Sequence, residues 1–410
     1  EEIDNYYHGF SNEIIWPLFH DLQTICRFDP AYWEAYNSVN DTFAKVVSRH
    51  SREEDFLWIN DYHLIPLARS IKGRGFKRRC FFFLHITFPP KDIFLKLPWR
   101  ERLLRDLIEF EMIGFQTVRD RRNFIDCLRV FDHQAHVTGK GPVLVTVQAF
   151  GTRTRVAALP ISIDFMEFAR IAGTFQAEEK VAEYRYNFNC EHIMLGVDRL
   201  DYTKGIPEKL LSFRTALERY PELREKVSLV QLIVPSRQDV PAYQRLKNEI
   251  EMLVSQINGE FTTPGWIPVI YKHGSVPREE LVAMYRAADI GFVTSLKDGM
   301  NLVSKEYCAC HINNDGVLIL SEFAGSAMQL GRNAILVNPH DREGTAEAIY
   351  KAVTMTEKEK YNRMAAMRRS IRKRDVFWWV NNFLRASMNR RLQDFPESEI
   401  APFTPQRVKK

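Results

Sequence analysis

Short apolar runs alternate with longer amphipathic stretches along the chain. In the first 180 residues, the runs Asp55–Ile59, Cys80–His85 and Ile113–Thr117 predict buried strands, and a helix beginning near Trp99 precedes the last of them. Such alternation is typical of a parallel sheet whose two faces are covered by helices. We therefore predict an α/β fold.

The same pattern starts again after about residue 180. Six further strands joined by helical crossovers predict a complete doubly wound domain. The predicted strands are Ile193–Val197, Val227–Val234, Val269–Tyr271, Ile290–Thr294, Val317–Leu320 and Ala334–Val337, and the predicted helices are Pro207–Tyr220, Val240–Gly259 and Pro277–Ala288.

A length of 410 residues predicts two or three domains. We predict two: residues 1–180 form the first, residues 181–374 form the second, and a C-terminal helix at 375–395 rejoins the first. In that helix Phe377, Val380 and Leu384 make an apolar stripe that we expect to pack against the body. The sequence begins without Met and inside a helix-like pattern, so we expect the first domain to be truncated and to lack at least one strand.

Composition narrows the class of protein. With 45% hydrophobic residues and 57 Lys+Arg against 52 Asp+Glu, the chain is globular, and its net charge of +5 does not predict nucleic-acid binding. We interpret the basic run Arg368 to Arg374 as a solvated helix face. Six scattered cysteines without a CxxC pair predict free thiols. With no signal peptide and no apolar run long enough to cross a bilayer, we expect a cytoplasmic protein without a membrane partner.

Two cations follow the first predicted strand of the second domain, at the end where ligands bind in doubly wound folds. Arg199 and Lys204 lie on a loop just before a helix, and two cations beside a helix N-terminus suit an anion. A surface loop with solvated charges explains this spacing almost as well. Arg237 follows the next strand, where it could equally pair with a neighbouring acid.

A turn and a helix start follow the strand Ile290–Thr294. Asp298 and Gly299 predict the turn, and the free N–H groups of Leu302 and Val303 suit a phosphate. Glu306, one turn on, could accept two sugar hydroxyls. A diphosphate on the N–H groups and a ribose on the acid would make a nucleotide site; an ordinary strand–turn–helix corner explains the pattern about equally well.

In the first half, Asp61 and His85 sit at the carboxyl ends of two neighbouring predicted strands. Two polar residues at equivalent strand ends suggest a site more strongly than one does, although a single His there is usually structural. Neither fits metal-ligand spacing. The motifs GxGxxG, GxxxxGK[ST] and GxSxG are absent, which argues against dinucleotide redox, P-loop and serine-hydrolase chemistry.

Long strings in the sequence resemble the trehalose-6-phosphate synthase family of retaining glycosyltransferases, and they occur in family order from the first residues to about Leu384. They are WINDYHL, FFFLHITFPP, GVDRLDYTKGIPEKLL, VPSRQDVPAYQ, KDGMNLVSKEY and VLILSEFAGSA. The resemblance implies the GT-B architecture, two Rossmann-like domains facing each other across a cleft. It also implies transfer of glucose from a nucleotide sugar, commonly UDP-glucose, to glucose 6-phosphate for trehalose biosynthesis, without a metal or other cofactor.

The resemblance also assigns roles to individual residues. The implied catalytic set is Asp61, His85, Arg199, Lys204 and Asp298. The donor diphosphate would bind Arg199, Lys204 and the N–H groups of Leu302 and Val303. The ribose would bind Glu306, and the base would bind the backbone near Val276. The donor glucose would bind His85, Asp298, Gly299, Met300 and Asn301. The acceptor pocket would contain Tyr7, Trp16, Asp61 and Arg237, with Tyr7 and Arg237 on the phosphate.

The sequence departs from the family pattern in several places. Asn60 stands where His is common, Thr87 where Pro is common, and Ser162 where Gly is usual. The family's N-terminal strand, which carries an Arg for the acceptor phosphate and a Gly-rich loop over the donor, is not in the sequence. Three alternatives therefore stay open: glycerol 3-phosphate as acceptor, ADP- or GDP-glucose as donor, and a non-catalytic sugar-phosphate sensor. A homo-oligomer is compatible with the sequence.

Overall fold

The computed structural model describes residues 1–139, 141, 143–236 and 241–388. Contacts between Cα atoms divide the chain into two units: Glu1–Ile161 with the described residues from Trp379 onward, and Ser162–Trp378. This division lies earlier in the chain than the predicted boundary at 180/181, because α7 (Phe165–Ala172) buries Phe165, Phe168 and Ile171 in the core of the second unit. The predicted 375–395 helix is described only as far as Met388.

The first unit is built on a mixed sheet. Its strands lie in the order β1-β2-β3-β6-β5-β4, with β1, β2, β3 and β6 parallel and the other two antiparallel to their neighbours. The three predicted strands are confirmed as β1 to β3, whereas β4 to β6 were not predicted. The bounds are β1 Phe56–Asn60, β2 Arg79–Phe83, β3 Met112–Phe115, β4 His136–Thr138, β5 Leu144–Ala149 and β6 Thr152–Ala158.

Helices cover this sheet. A π-helical segment Asp4–Ile15 runs into α1, and α2 begins at an Asp29 cap that accepts the N–H of Ala31. The helices are α1 Trp16–Phe19, α2 Pro30–His50, α3 Leu67–Gly73, α4 Lys91–Phe94, α5 Arg100–Leu107, α6 Val118–Phe131 and, from the end of the chain, α16 Val376–Ser387, with 3-10 turns at Gln23–Ile25 and Tyr62–Leu64.

The face on which α16 packs was predicted wrongly. Phe377 is exposed, and Val380 and Leu384 are only partly buried. Trp379 and Phe383 are buried instead, and the ring of Phe383 stacks on Trp58 of β1 at 4.2 Å. Both stripes have helical spacing, and the one with the larger rings fills the core.

The second unit contains the predicted doubly wound sheet. Its six strands lie in the order β12-β11-β10-β7-β8-β9, and all pairings are parallel. This order reverses at β7 and β10, and ligands of such sheets bind beyond the carboxyl ends of the strands at that point. The strands are β7 His192–Arg199, β8 Val227–Val234, β9 Val269–His273, β10 Ile290–Val293, β11 Val317–Ser321 and β12 Ile335–Val337.

Nine helices of the described residues belong to this unit. They are α7, α8 Phe175–Phe188, α9 Ile206–Arg219, α10 Pro241–Phe261, α11 Arg278–Ala287, α12 Leu302–Cys310, α13 Ala327–Leu330, α14 Arg342–Val353 and α15 Glu357–Lys373, with 3-10 turns at Tyr202–Lys204 and Pro221–Leu223. The three predicted helices of this unit correspond to α9, α10 and α11, apart from Val240, which lies outside the described residues.

The structure shows where the cysteines and the basic run of the sequence lie. All six cysteines are free, and Cys80, Cys127, Cys308 and Cys310 are buried. The basic run is not simply a solvated face: Arg368 donates to the carbonyl oxygens of Cys308 and Ala309, and Arg374 is buried. The last carbonyls of a helix lack N–H donors within it, and the Arg368 guanidinium supplies donors to those of α12. No helix of the described residues is long and apolar enough to cross a membrane.

Candidate active site

Asp61 and His85 lie together at the carboxyl ends of β1 and β2 in the first unit. The Asp61 carboxylate oxygen Oδ1 accepts the backbone N–H of Tyr62 at 3.0 Å and that of His85 at 3.3 Å. The backbone of Asp61 has a φ of 71°, a conformation that non-glycine residues seldom adopt. Such backbone outliers persist where surrounding contacts hold them, often at functional sites.

The imidazole of His85 is half-buried, and the side chains that contact its ring are neutral. Its Nε2 lies 3.1 Å from Oδ1 of Asn60, and the rings of Phe83 and Trp379 lie 4.8 and 5.9 Å from it. Burial lowers the pKa of His85 to about 4, because a charged imidazole loses hydration there. His85 is therefore neutral near pH 7.

The residues that the resemblance places at the acceptor surround the Asp61 loop. The ring of Tyr7 stacks on His63 at 5.6 Å, and the ring of Trp16 lies 6.1 Å from that of Tyr62. His63 and Tyr62 are themselves stacked at 4.1 Å. Tyr7 is exposed, while Trp16 is buried.

Sequence reasoning missed the residues that hold this loop. The His63 carbonyl accepts from Tyr6 Oη at 3.2 Å and from Asn40 Nδ2 at 3.0 Å. Tyr36 Oη donates to the Tyr62 carbonyl at 2.5 Å. Tyr36 and Asn40 lie one turn apart on α2. Their helical spacing, which puts two polar groups on the same face, is the only sign in the sequence that they could act together.

The two other departures from the family pattern are Thr87 and Ser162. Thr87 is buried and its hydroxyl donates to the carbonyl of Phe19, the last residue of α1. Since Trp16 begins α1, Thr87 fixes the helix that carries Trp16. Ser162 is buried at the start of the second unit.

In the second unit, Lys204 and Asp298 form a partly buried ion pair. Nζ of Lys204 lies 2.6 Å from Oδ2 of Asp298, although 94 residues separate them in the chain. Gly205 allows this approach: its φ is 61°, and a Cβ there would lie 2.4 Å from the carbonyl oxygen of Thr294. The loops after β7 and β10 therefore touch.

The same carboxylate organises the turn after β10. Asp298 Oδ2 also accepts from Asn301 Nδ2 at 3.1 Å and from Ser295 Oγ at 3.3 Å. The loop after β11 supports the turn from behind, because Gly325 donates its N–H to the Asp298 carbonyl at 3.0 Å and Ser326 donates to Met300 at 2.7 Å. The resemblance had given no role to this second loop.

The turn leads directly into α12, whose first N–H groups have no acceptor within the helix. Asn301, with a φ of 67°, caps the helix by accepting the N–H of Ser304 at 2.9 Å. The N–H groups of Leu302 and Val303 meet no acceptor in the described part of the chain. N–H groups of this kind at a helix N-terminus, together with the helix dipole, suit an anion.

Glu306 lies one turn into α12. Its Oε2 accepts the hydroxyl of Tyr285 at 2.9 Å. Burial raises the pKa of Glu306 above its ordinary value, while the bond from Tyr285 and the charge of Arg278 act in the opposite direction. The second carboxylate oxygen remains suited to accept a ligand hydroxyl.

The remaining predicted residues are less closely tied to this cluster. Arg199, at the end of β7, is half-exposed, and its Nη2 lies 3.9 Å from Asp201 Oδ2. Val276 is half-buried in the loop after β9 and packs against the core. Gly299 and Met300 lie within the Asp298 turn, with Met300 buried. Arg237 lies outside the described residues.

Among the residues that the structure describes, no three His, Cys, Asp or Glu side chains are grouped to hold a metal ion. The groups that could meet an anion are side-chain cations and the N–H groups at the start of α12. This chemistry suits a ligand with phosphates and sugar hydroxyls.

Comparison with known proteins identifies close relatives. The sequence model of glycosyltransferase family 20 matches residues 1–389. The chain is 39% identical over 386 residues to the trehalose-6-phosphate synthase of Cronobacter sakazakii (strain ATCC BAA-894), covering 94% of this chain and 80% of the relative.

Solved structures agree with the sequence match. A UDP-forming α,α-trehalose-phosphate synthase from Burkholderia xenovorans in complex with glucose-6-phosphate superposes with a TM-score of 0.91 at 37% identity, covering 94% of this chain and 85% of that one. An E. coli structure bound with UDP-2-fluoro glucose gives a TM-score of 0.88 at 38% identity, covering 94% and 84%.

Proposed function

The chain belongs to glycosyltransferase family 20 and is a glycosyltransferase, and on this premise we propose that it moves glucose from UDP-glucose to glucose 6-phosphate, forming trehalose 6-phosphate and UDP. The observation that carries the proposal is the cluster of Lys204, Asp298 and Asn301 at the N-terminus of α12, with Glu306 one turn further on. The names of the relatives above support the choice of substrates.

On the donor side, the proposal assigns the diphosphate to Lys204, Arg199 and the N–H groups of Leu302 and Val303. Breaking the bond between the glucose and the β-phosphate leaves negative charge on the diphosphate and positive character on the sugar ring. Donors fixed in advance around the diphosphate stabilise that charge without reorganising. The carboxylate of Glu306 accepts the ribose hydroxyls, and backbone near Val276 meets the uracil.

The Asp298 turn holds the donor glucose in this proposal. Gly299, Met300 and Asn301 offer backbone and amide groups, and the Asp298 carboxylate keeps Lys204 in place. Three donors already bind Asp298 Oδ2. Because these hydrogen bonds occupy its oxygen, Asp298 is a weaker nucleophile. This supports front-face attack with retention rather than a covalent intermediate on Asp298.

On the acceptor side, Asp61 orients glucose 6-phosphate, and Tyr7 and Trp16 contact it. The resemblance assigns the phosphate to Tyr7 and Arg237. The neutral imidazole of His85 meets the 6-hydroxyl of the donor glucose. The hydroxyl of the acceptor attacks the anomeric carbon, and its proton passes to the leaving diphosphate oxygen. We propose that no metal or other cofactor takes part and that the enzyme works in the cytoplasm.

A donor-by-acceptor activity matrix tests the proposal. UDP-, ADP- and GDP-glucose are each incubated with glucose 6-phosphate or glycerol 3-phosphate, and nucleotide release and the phosphosugar product are measured, with and without EDTA. We expect turnover with UDP-glucose and glucose 6-phosphate, unchanged by EDTA.

Each of the other outcomes would overturn one part of the proposed function. Product only with glycerol 3-phosphate makes the chain a glucosylglycerol-phosphate synthase, and turnover only with another nucleotide replaces the donor. Calorimetric binding of glucose 6-phosphate without turnover on any pair makes it a sensor. Light scattering of the same sample reports whether it forms a homo-oligomer.

A further inference from the structure

Asn60 is the last residue of β1, and its amide oxygen faces the imidazole of His85 across the strand pair. The distance from Oδ1 to Nε2 is 3.1 Å. Asn60 is paired with Phe83 in the parallel register of β1 and β2, and His85 follows two residues after Phe83. The backbone N–H of His85 donates to Oδ1 of Asp61, the residue after Asn60, and this bond ties the two strand ends together.

The other surroundings of His85 leave its two ring nitrogens to Asn60 and to a ligand. The charged neighbour is Asp61, which accepts the backbone N–H of His85 and not its ring. Gln116, beyond β3, donates to the His85 carbonyl, and Phe83 and Trp379 present carbon edges to the ring. Within the described residues no side chain reaches Nδ1.

We propose that Asn60 is a positioning residue: its amide oxygen holds the His85 imidazole as the Nε2–H tautomer and leaves the Nδ1 lone pair free to accept a hydroxyl of the donor sugar. A neutral imidazole has one N–H and one acceptor nitrogen, and the hydrogen bond at one nitrogen decides the role of the other. The part played by the sugar hydroxyl rests on the proposed function, whereas the tautomer does not.

The residue type matters to this role. Where the family commonly has His, a second imidazole would change its own charge near neutral pH, and its hold on His85 would change with it. An amide does not titrate. Asn60 therefore gives His85 the same partner across the pH range, and burial lowers the pKa of His85 to about 4, which keeps its ring neutral.

The first test reads the tautomer directly. Nitrogen-15 chemical shifts of the His85 ring are recorded for the wild type, Asn60→Ala, Asn60→Asp and Asn37→Ala. Asn37 is a matched control in the same unit, because its amide donates to Trp33 of its own helix at 2.7 Å. We expect the Nε2–H form in the wild type and the control, a mixture in Asn60→Ala, and the Nε2–H form with a raised His85 pKa in Asn60→Asp, since a carboxylate favours the imidazolium.

The second test measures kcat/KM against pH for UDP-glucose. We expect the loss of one orienting hydrogen bond to lower kcat/KM of Asn60→Ala by roughly 2- to 13-fold. In Asn60→Asp the acidic limb of the profile moves to higher pH, which a merely structural role for Asn60 would not cause.

Two results would overturn the inference: an Nδ1–H tautomer in the wild type, or an unchanged tautomer in Asn60→Ala whose circular dichroism matches the wild type. The chemical shifts need no turnover. If the expected tautomers appear but no donor is used, the proposed function fails while the role of Asn60 stands.

Discussion

At the scale of single residues, the ammonium group of Lys204 is held by Asp298 at the diphosphate site that we propose for the second unit. It lies 2.6 Å from Asp298 and is largely buried. Replacing it by methionine keeps the stem and removes the charge, so the leaving diphosphate loses one preorganised donor. We expect Lys204→Met to lower kcat/KM for UDP-glucose by about 10²- to 10³-fold, measured by UDP release.

Lys226→Met is the matched control, because Lys226 is exposed just before β8, at the end of the strand opposite the site. It should keep wild-type kcat/KM. If Lys204→Met also kept it while its thermal unfolding stayed normal, Lys204 would have no part in stabilising the diphosphate.

Lys305 gives a pH dependence to the stability of the second unit. It is fully buried on α12, and burial, followed by the charge of Arg374, lowers its pKa to about 7 from 10.5. Between these two values the unfolded chain binds more protons than the folded one, so the free energy of unfolding rises with pH. Below pH 7 Lys305 is charged in both the folded and the unfolded state, and its contribution to the free energy of unfolding is at its least favourable.

Lys305→Met removes this dependence. Urea unfolding of wild type and variant at pH 7.0, 7.5, 8.0 and 8.5 gives the difference between their free energies of unfolding. We expect the advantage of the methionine variant to shrink by up to about 1.4 kcal/mol per pH unit over this window. A difference independent of pH would mean that Lys305 folds with its ordinary pKa.

Whether the position of a site residue can be predicted from the sequence depends on the element that carries it. Asp61, His85, Lys204 and Asp298 come after strands, and because parallel strands end at one edge of a sheet, their grouping within each unit could be predicted. Tyr36 and Asn40 could not be, because they reach the Asp61 loop from a helix whose packing the pattern does not specify.

At the scale of elements, the turn that carries Asp298 is packed against the loop after β11 without room for a side chain. A Cβ on Gly325 would lie 1.9 Å from the carbonyl oxygen of Gly299, a backbone atom. Gly325→Ala must therefore move the turn. We expect a loss of roughly 1–3 kcal/mol in stability and a raised KM for UDP-glucose, measured by thermal unfolding and initial rates.

Gly259→Ala is the opposite case. Gly259 lies in α10, and a Cβ there meets nothing within 4 Å. Alanine is the better helix former, so this variant should gain about 0.5–1 kcal/mol and keep its KM. Equal behaviour of the two variants would show that the turn tolerates displacement.

Elements differed in how well the sequence predicted them. The six strands of the second unit are mostly apolar, because helices cover both faces of their sheet, and each was found within a few residues. β4 to β6 carry polar residues among or before their apolar ones, and β4 has only three residues. Their signal is weaker, and they were missed.

At the scale of the whole molecule, the chain leaves the first unit at Ile161 and returns to it at Trp379. The second unit is thus continuous in sequence, whereas the first needs α16 to complete its core. Phe383 is fully buried in the first unit, against Trp58 at 4.2 Å and near Gly114 of β3. The stability of the first unit therefore depends on residues more than 200 positions away from its last strand, as the bonds from Arg155 to the carbonyls of Ala386 and Ser387 also indicate.

Phe383→Ala tests this dependence, with Phe377→Ala on the exposed face of the same helix as its control. Emptying the space beside Trp58 should cost about 3–5 kcal/mol in the first unit. Because each unit has its own core, hydrogen exchange should quicken in peptides covering β1 to β3 and stay unchanged in β8. The control should match the wild type throughout. Equally faster hydrogen exchange in β8 would mean that the two units unfold together. If Phe383→Ala changed neither stability nor hydrogen exchange, the first unit would be complete without α16.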